Sequence, residues 1–384
     1  MGTGTMSSGK SKRVPGTAER KEKHLTICTD PSRFQVETGS AGFTSVHFLH
    51  DALPETAYAA LETSVAFLET RVRLPLFISC MTGGSEGGFR ANKVLAEAAQ
   101  ELGVPVGLGS FRILLSEPDL LPHFHIKPLA PDVPVLANIG AVQVRDTETG
   151  ALLRIVERLQ AQALVVHLNP GQELFQPGGD RDFRGLREAL GALLRSAPLP
   201  VIVKETGFGI GPGLARELLA EGAAYVDLAG AGGTNWIAVE SHRLEREEAE
   251  AAREFDSWGM PTALLLAAFG GTQDRLLASG GIRTGMDAAK ALAMGAEMAG
   301  VALPAIRAAV EGGVPAVVSL FRGMEKTLRS VMLLTGSSTV ADLRRGTAWL
   351  EPAMAAQGEA LRRAWDAYAG SSPVQPRGGS APHA

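Results

Sequence analysis

Four residues able to do chemistry crowd one short stretch of the chain. His167, Asn169, Gln172 and Glu173 all lie in ALVVHLNPGQELFQPGG, residues 163–179. An imidazole, two amides and a carboxylate can orient a polar substrate, move a proton or hold a hard cation. The apolar, β-branched run at 163–168 has the composition of a strand buried on both faces. Side chains alternate along a strand, so His167 and Asn169 share a side. Pro170 and Gly171 then turn the chain, which sets Gln172 and Glu173 in the loop past the strand's carboxyl end. The stretch is therefore expected to form the substrate and metal wall of an active site. With one carboxylate, a cation would draw its remaining ligands from water or substrate phosphates, as magnesium usually does, so Glu173 is its candidate ligand. Asp180 and Asp182, further along the loop, read as bystanders.

Such a wall needs neighbours to face. Seven further apolar runs occur at residues 74–79, 104–109, 133–139, 200–205, 224–230, 276–281 and 298–303. Most are separated by stretches with the three- and four-residue apolar spacing of helices. Residues 261–269 are apolar too, but their leading Pro and Ala/Leu content predict a helix. Eight strands alternating with helices over about 230 residues match an α/β (β/α)8 TIM barrel; a doubly wound open sheet is the alternative. Polar residues decide between them. Ser79, Ser110, Asn138, His167, Lys204, Asp227 and Ser279 fall at the ends of different runs, as a closed mouth requires, whereas an open sheet collects them at one switch point.

Around this barrel, residues 1–18 read as a disordered arm and 370–384 as a disordered tail. Residues 19–369 read as one domain, with a helical extension from 304 and connecting segments ahead of residue 74. Residues 314–335 are expected to pack outside the barrel or against another subunit. The basic cluster Arg20, Lys21, Lys23 and His24 is either a solvated helix start or a lid.

Composition narrows the class. The formal net charge of −4 argues against a general nucleic-acid binder. Two cysteines, Cys28 and Cys80, cannot build a disulfide framework, which favours a cytoplasmic setting. The polar, basic start is no secretory leader, and no run approaches the roughly 18 apolar residues that span a bilayer, so no membrane partner is expected.

Two glycine-rich loops, GAGGT at 230–234 and SGGIRTG at 279–285, and the helix opening VALP at 301–304 follow the last three strands. Glycine permits close backbone approach and a helix amino end offers free N–H groups, so together they read as a phosphate cradle. Lys204 at the fifth strand end is a Schiff-base nucleophile, a fixed charge beside an electron-rich cofactor, or a cation neutralised by Glu205. SCMTGG at 79–84 offers small residues against which a flat ring could lie, and Asn138 points an amide into the mouth. A ring, a terminal phosphate and a lysine beside the ring suggest flavin mononucleotide (FMN).

In order, the motifs RKEKH, MTGG, GSFR, ANIG, HLNPGQE, KETG, GAGGT, SGGIRTG and ALP resemble those of the type 2 isopentenyl-diphosphate delta-isomerases. These are flavin-dependent barrel enzymes of isoprenoid synthesis, and the resemblance runs from about Arg20 to Pro304. It implies flavin contacts from Met81, Thr82, Gly83, Ser110, Asn138, Lys204, Thr234, Gly281, Ile282, Arg283, Ala302 and Leu303. It implies that Arg20, Lys21, His24, Ser110 and Arg112 close on the substrate diphosphate, that His167, Asn169 and Gln172 line the substrate, and that Glu173 holds Mg2+. His167, Gln172 and Lys204 carry the implied catalytic role. The implied reaction shifts a double bond between isopentenyl and dimethylallyl diphosphate without net redox change. It needs reduced flavin, with NADPH as reductant, and the flavin N5 region serves as acid and base. A homo-oligomer, tetramer or octamer, is also implied. Two departures stand out: Ala229 replaces a frequent serine, and Asn235-Trp236 replaces Ser-Trp or Ser-Phe. Arg20 and Lys21 are expected to order only when substrate binds. The competing readings are an FMN oxidoreductase of the 2-hydroxy-acid oxidase type, which would need a His–Arg pair at the late strands, and a non-catalytic barrel subunit.

Overall fold

The computed structural model describes residues 16–271 and 275–371. Eight parallel strands close a barrel: β1 (Leu76–Ile78), β2 (Val106–Gly107), β3 (Val135–Gly140), β4 (Ala163–Leu168), β5 (Val201–Glu205), β6 (Tyr225–Asp227), β7 (Leu276–Ala278) and β8 (Met298–Val301). Each pairs with its sequence neighbour, and β8 pairs with β1 to complete the ring. Seven of the eight runs read from the sequence contain their strand, β3 extends one residue past the run at 133–139, and 262–269 is helical. Each strand is nearly devoid of exposed residues, since helices cover the outer faces and side chains fill the inside.

Seven helices matter for the site: α1 (Thr17–Thr29), α2 (Glu86–Leu102), α3 (Pro170–Phe175), α4 (Trp236–Ser241), α5 (Gly285–Ala293), α6 (Leu303–Leu334) and α7 (Pro352–Ser371). Two expected boundaries move. Residues 17–18 of the expected arm already belong to α1, while 1–15 lie outside the described residues; likewise α7 takes in residues 370–371 of the expected tail, and 372–384 lie outside.

The segments ahead of the barrel do more than connect. A hairpin, Val65–Phe67 with Thr70–Val72, turns through Leu68 and Glu69, both at positive φ. This is the geometry whose twist suits a two-residue hairpin. It places Phe67 and Val72, each 1% exposed, among Leu136, Val165, Ile202, Leu277 and Met298 from five barrel strands. Burying two such side chains contributes about 2 kcal/mol each and plugs the barrel at the end opposite the site.

Helix α6 is the one described helix long and apolar enough to cross a membrane by length and composition. It is broken at Gly313 (φ 63°), and beyond the break Val317, Phe321, Met324 and Leu328 are buried. Residues 314–334 thus pack outside the barrel, as expected, chiefly along α2 and α5.

Candidate active site

At the carboxyl ends of the strands lies a cavity of about 140 Å³. Its walls include Arg20, Lys21 and His24 of α1; Met81, Thr82 and Gly83 after β1; Ser110 and Arg112 after β2; Asn138; His167, Asn169, Gln172 and Glu173; and Lys204. Residues as far apart in the chain as Arg20 and Lys204 therefore meet in one place, because the strands end at the same rim and α1 lines it.

The β4–α3 corner orders the first group. Asn169 Nδ2 donates to both Gln172 Oε1 (3.2 Å) and Glu173 Oε1 (3.1 Å). Glu173 Oε2 accepts from Gln176 Nε2 (3.1 Å) and from the Asp180 N–H (2.9 Å). Glu173 is buried, yet one face of Oε1 is left with capacity to accept. Among the described residues no cluster of three His, Cys, Asp or Glu could cage a metal. The single carboxylate is of a kind that can hold magnesium together with water and phosphate oxygens. Asp180 is not a bystander: besides its N–H contact, its carboxylate meets Arg112 Nη1 at 3.4 Å. Asp182 is one, paired with Arg184 at the surface.

His167 Nδ1 lies 2.8 Å from Asn138 Oδ1, so Asn138 accepts its proton and fixes the ring. Burial, with Lys204, Lys21 and Arg112 nearby, pushes its pKa down to about 3. A neutral imidazole can position a substrate but is a feeble acid. The thiols are no better: burial raises Cys80 to about 11 and Cys28 to about 12.

The basic cluster, expected to order only when substrate binds, lies on helix α1 and lines the cavity. Helix α1, braced by Glu19–Lys23 (2.9 Å), packs on α2, α4 and α6. Lys21 Nζ donates to the Ser110 carbonyl at 2.6 Å. Burial, with Arg20 and Arg112, pushes its pKa down to about 7. A diphosphate in this cavity would reverse that balance, so at pH 8 its binding should take up a proton. Calorimetric titration with inorganic diphosphate in two buffers of different ionisation enthalpy reads this directly; Lys21→Arg, charged throughout, should abolish the buffer dependence.

Several site residues were not singled out from the sequence. Glu240 of α4 is fully buried; His24 Nε2 sits 2.8 Å from its Oε1, Gln172 Nε2 donates to the same oxygen at 3.2 Å, and Arg243 pairs with Oε2. It joins lid to wall. Its signal was an acid inside the apolar run WIAV-E, four residues after Trp236, whose ring meets His24 edge-on at 5.3 Å. Asn235 caps α4, accepting from Ile237 N and Ala238 N, so it does the work a serine would do there.

A second cavity of about 50 Å³ adjoins the first, sharing Cys80, Met81, Lys204, Thr206 and Trp236. Thr234, Gly281, Arg283 and Ala302 line it, whereas the side chains of Ile282 and Leu303 turn into the core and leave only backbone to offer. Gly280 (φ 93°) shows why glycine is needed here: a Cβ would stand 2.1 Å from the Gly230 carbonyl. Ala229 holds positive φ (42°) without being glycine, a strain of the sort that collects at functional sites. Glu37 grips Arg283 and Arg307, tying the segment after α1 to the cradle. Glycine loops, the amino end of α6 and a flat-sided wall fit a flavin phosphate and ring.

The model for the FMN-dependent dehydrogenase family matches residues 186–350. The chain is 44% identical to an isopentenyl-diphosphate delta-isomerase of Stutzerimonas stutzeri over 85% of its length and 95% of that protein. It is 38% identical to one from Borrelia garinii subsp. bavariensis over 89% and 96%. In structure it resembles (S)-mandelate dehydrogenase, with a TM-score of 0.60 at 18% identity over 86% of this chain and 99% of the other. That last likeness concerns the fold alone.

Proposed function

The chain belongs to the isopentenyl-diphosphate delta-isomerase family, in its flavin-dependent type 2 form, and we propose that it interconverts isopentenyl and dimethylallyl diphosphate at its barrel mouth. One observation carries the reading: the basic lid, the β4–α3 wall and Lys204 line a single cavity that opens onto the glycine cradle. When bound there, reduced FMN supplies the acid and base that move the double bond. Arg20, Lys21 and Arg112 hold the diphosphate, with Glu173 anchoring Mg2+ against it. His167, Asn169 and Gln172 would line the five-carbon chain, and Lys204 would provide a fixed charge beside the flavin. The lid excludes water, so a proton placed on the alkene is not lost to solvent.

NADPH is the proposed reductant, the working unit a homo-oligomer of four or eight chains, and the setting the cytoplasm, in keeping with two unpaired thiols. Residues 19–369 are proposed to act as one domain. A 2-hydroxy-acid oxidase is less well supported: Arg283 is engaged by Glu37, and no histidine joins it at the late strands. An idle barrel would have no use for the buried, paired groups at the mouth.

The test is an anaerobic isomerase assay with reduced FMN and Mg2+; no interconversion under those conditions would refute the proposal. Glu173→Gln should raise the Mg2+ concentration for half-maximal rate about 10- to 100-fold, the usual cost of spoiling a metal's support. An unchanged magnesium titration would remove Glu173 from its assigned role.

A further inference from the structure

The barrel mouth holds a carboxylate for which the isomerase reaction has no evident use. Asp227, ending β6, is 2% exposed and sits opposite Lys204 in the β5–β6 ladder. Paired residues in adjacent strands point to the same face, so both side chains enter the barrel. Lys204 is itself only 7% exposed.

Adjacent Glu205 is not its counter-charge. Glu205 Oε2 accepts the N–H groups of Gly207 (2.6 Å), Phe208 (2.5 Å) and Gly209 (3.0 Å), closing the turn after β5. Lys204 Nζ reaches only the Glu205 carbonyl, at 2.5 Å. Asp227, for its part, is held by Ser279 at the end of β7: the hydroxyl lies 2.8 and 2.9 Å from its two oxygens, and the N–H donates at 3.0 Å. A hydroxyl has one proton to give, so these contacts fix the carboxylate without neutralising it. A buried ammonium and a buried carboxylate are each costly alone, and here they stand one rung apart. Burial raises the Asp227 pKa and Lys204 opposes that rise.

We propose that Asp227, fixed by Ser279, is a positioning residue: the buried counter-charge that balances Lys204 and trims the field beside the flavin. The inference rests on the flavin reading of the site. Lys204 touches the cofactor region; Asp227 acts through it.

Asp227→Asn keeps the shape and removes the charge. The bound reduced flavin should then gain about tenfold in affinity relative to the oxidised form, a positive shift of about 30 mV for a two-electron couple. Ser279→Ala, which keeps the charge, should leave the potential near that of the parent protein. The apoprotein gives a flavin-independent readout. Lys204→Met should lower its melting temperature by stranding Asp227, and adding Asp227→Asn should raise it again. A purely structural Asp227 predicts the reverse, an unmoved potential and a further fall in the double variant, and either result would overturn the proposal. If Asp227→Asn alone does not fold, the melting of the double variant against Lys204→Met decides. A parent protein that binds no FMN would sink the flavin reading, whereas the apoprotein comparison would still judge the charge pair.

Discussion

Stripped of flavin, the protein is expected to lose isomerase activity by a factor of at least about 1,000, and to regain it with reduced but not oxidised FMN. The reason lies in what the cavity walls can and cannot donate. Protonating an unactivated alkene needs an acid that is charged with a proton, strong, and aimed at carbon. His167 is kept neutral with its Nδ1 proton on Asn138, and its pKa of about 3 means that the imidazolium is scarce at neutral pH. Cys80 and Cys28 hold their protons too tightly. Glu173 and Glu240 are engaged by amides, an N–H or cations, and burial-opposed pairing holds Glu240 below the usual range. Lys21 is bonded to a carbonyl and assigned to phosphate. Acid–base groups typically contribute 100- to 10,000-fold, and loss of 1,000-fold corresponds to about 4 kcal/mol of barrier. The measurement is an anaerobic assay of apoprotein, apoprotein with oxidised FMN, and apoprotein with reduced FMN. Full activity in the first would show that a side chain does the work.

The barrel was legible because its signals are local. A buried parallel strand announces itself by a β-branched run, and polar residues at the ends of such runs mark the mouth whatever the rest of the chain does. Thus 163–168, 200–205 and 276–281 contain β4, β5 and β7, and His167, Asn169 and Lys204 face one cavity. What escaped depended on contacts between distant segments. Phe67 looks like a linker residue until the barrel closes over it. Lys204 and Glu205 are neighbours in the chain, which suggested a pair, but alternation sends them to opposite sides, and the rung partner of Lys204 is Asp227, 23 positions on. Arg20 and Lys21 sit in a polar stretch that reads as solvated, yet α1 is anchored by Ile27 and Cys28 in the core and by a carbonyl 89 residues away. Asp180 needed the fold of its own loop to reveal that its N–H supports Glu173.

The second large effect is expected at Glu240, where the same long-range logic holds the lid to the wall. Replacing it with alanine removes the carboxylate that meets His24, Gln172 and Arg243 together. Arg243 has only 6% of its side chain exposed, and its Nε already lacks a partner, so the variant strands a buried guanidinium. Breaking a buried pair in this way costs about 3–5 kcal/mol, which for a chain of this size lowers the melting temperature by about 4–6 °C. Gln172, released from Glu240, would keep only Asn169, and His24 would lose its hold on α1, so KM for the diphosphate should rise along with the loss of stability. Glu240→Gln separates the two consequences. It preserves an acceptor for Gln172 and His24 but not the charge for Arg243, so it should recover KM more fully than it recovers melting temperature. Thermal melting and initial rates on both variants decide the matter. If Glu240→Ala melts within 2 °C of the parent protein, a range well inside one such pair's worth, the network is ornamental; if it melts low but binds substrate normally, Glu240 supports the fold and the lid is held by other contacts.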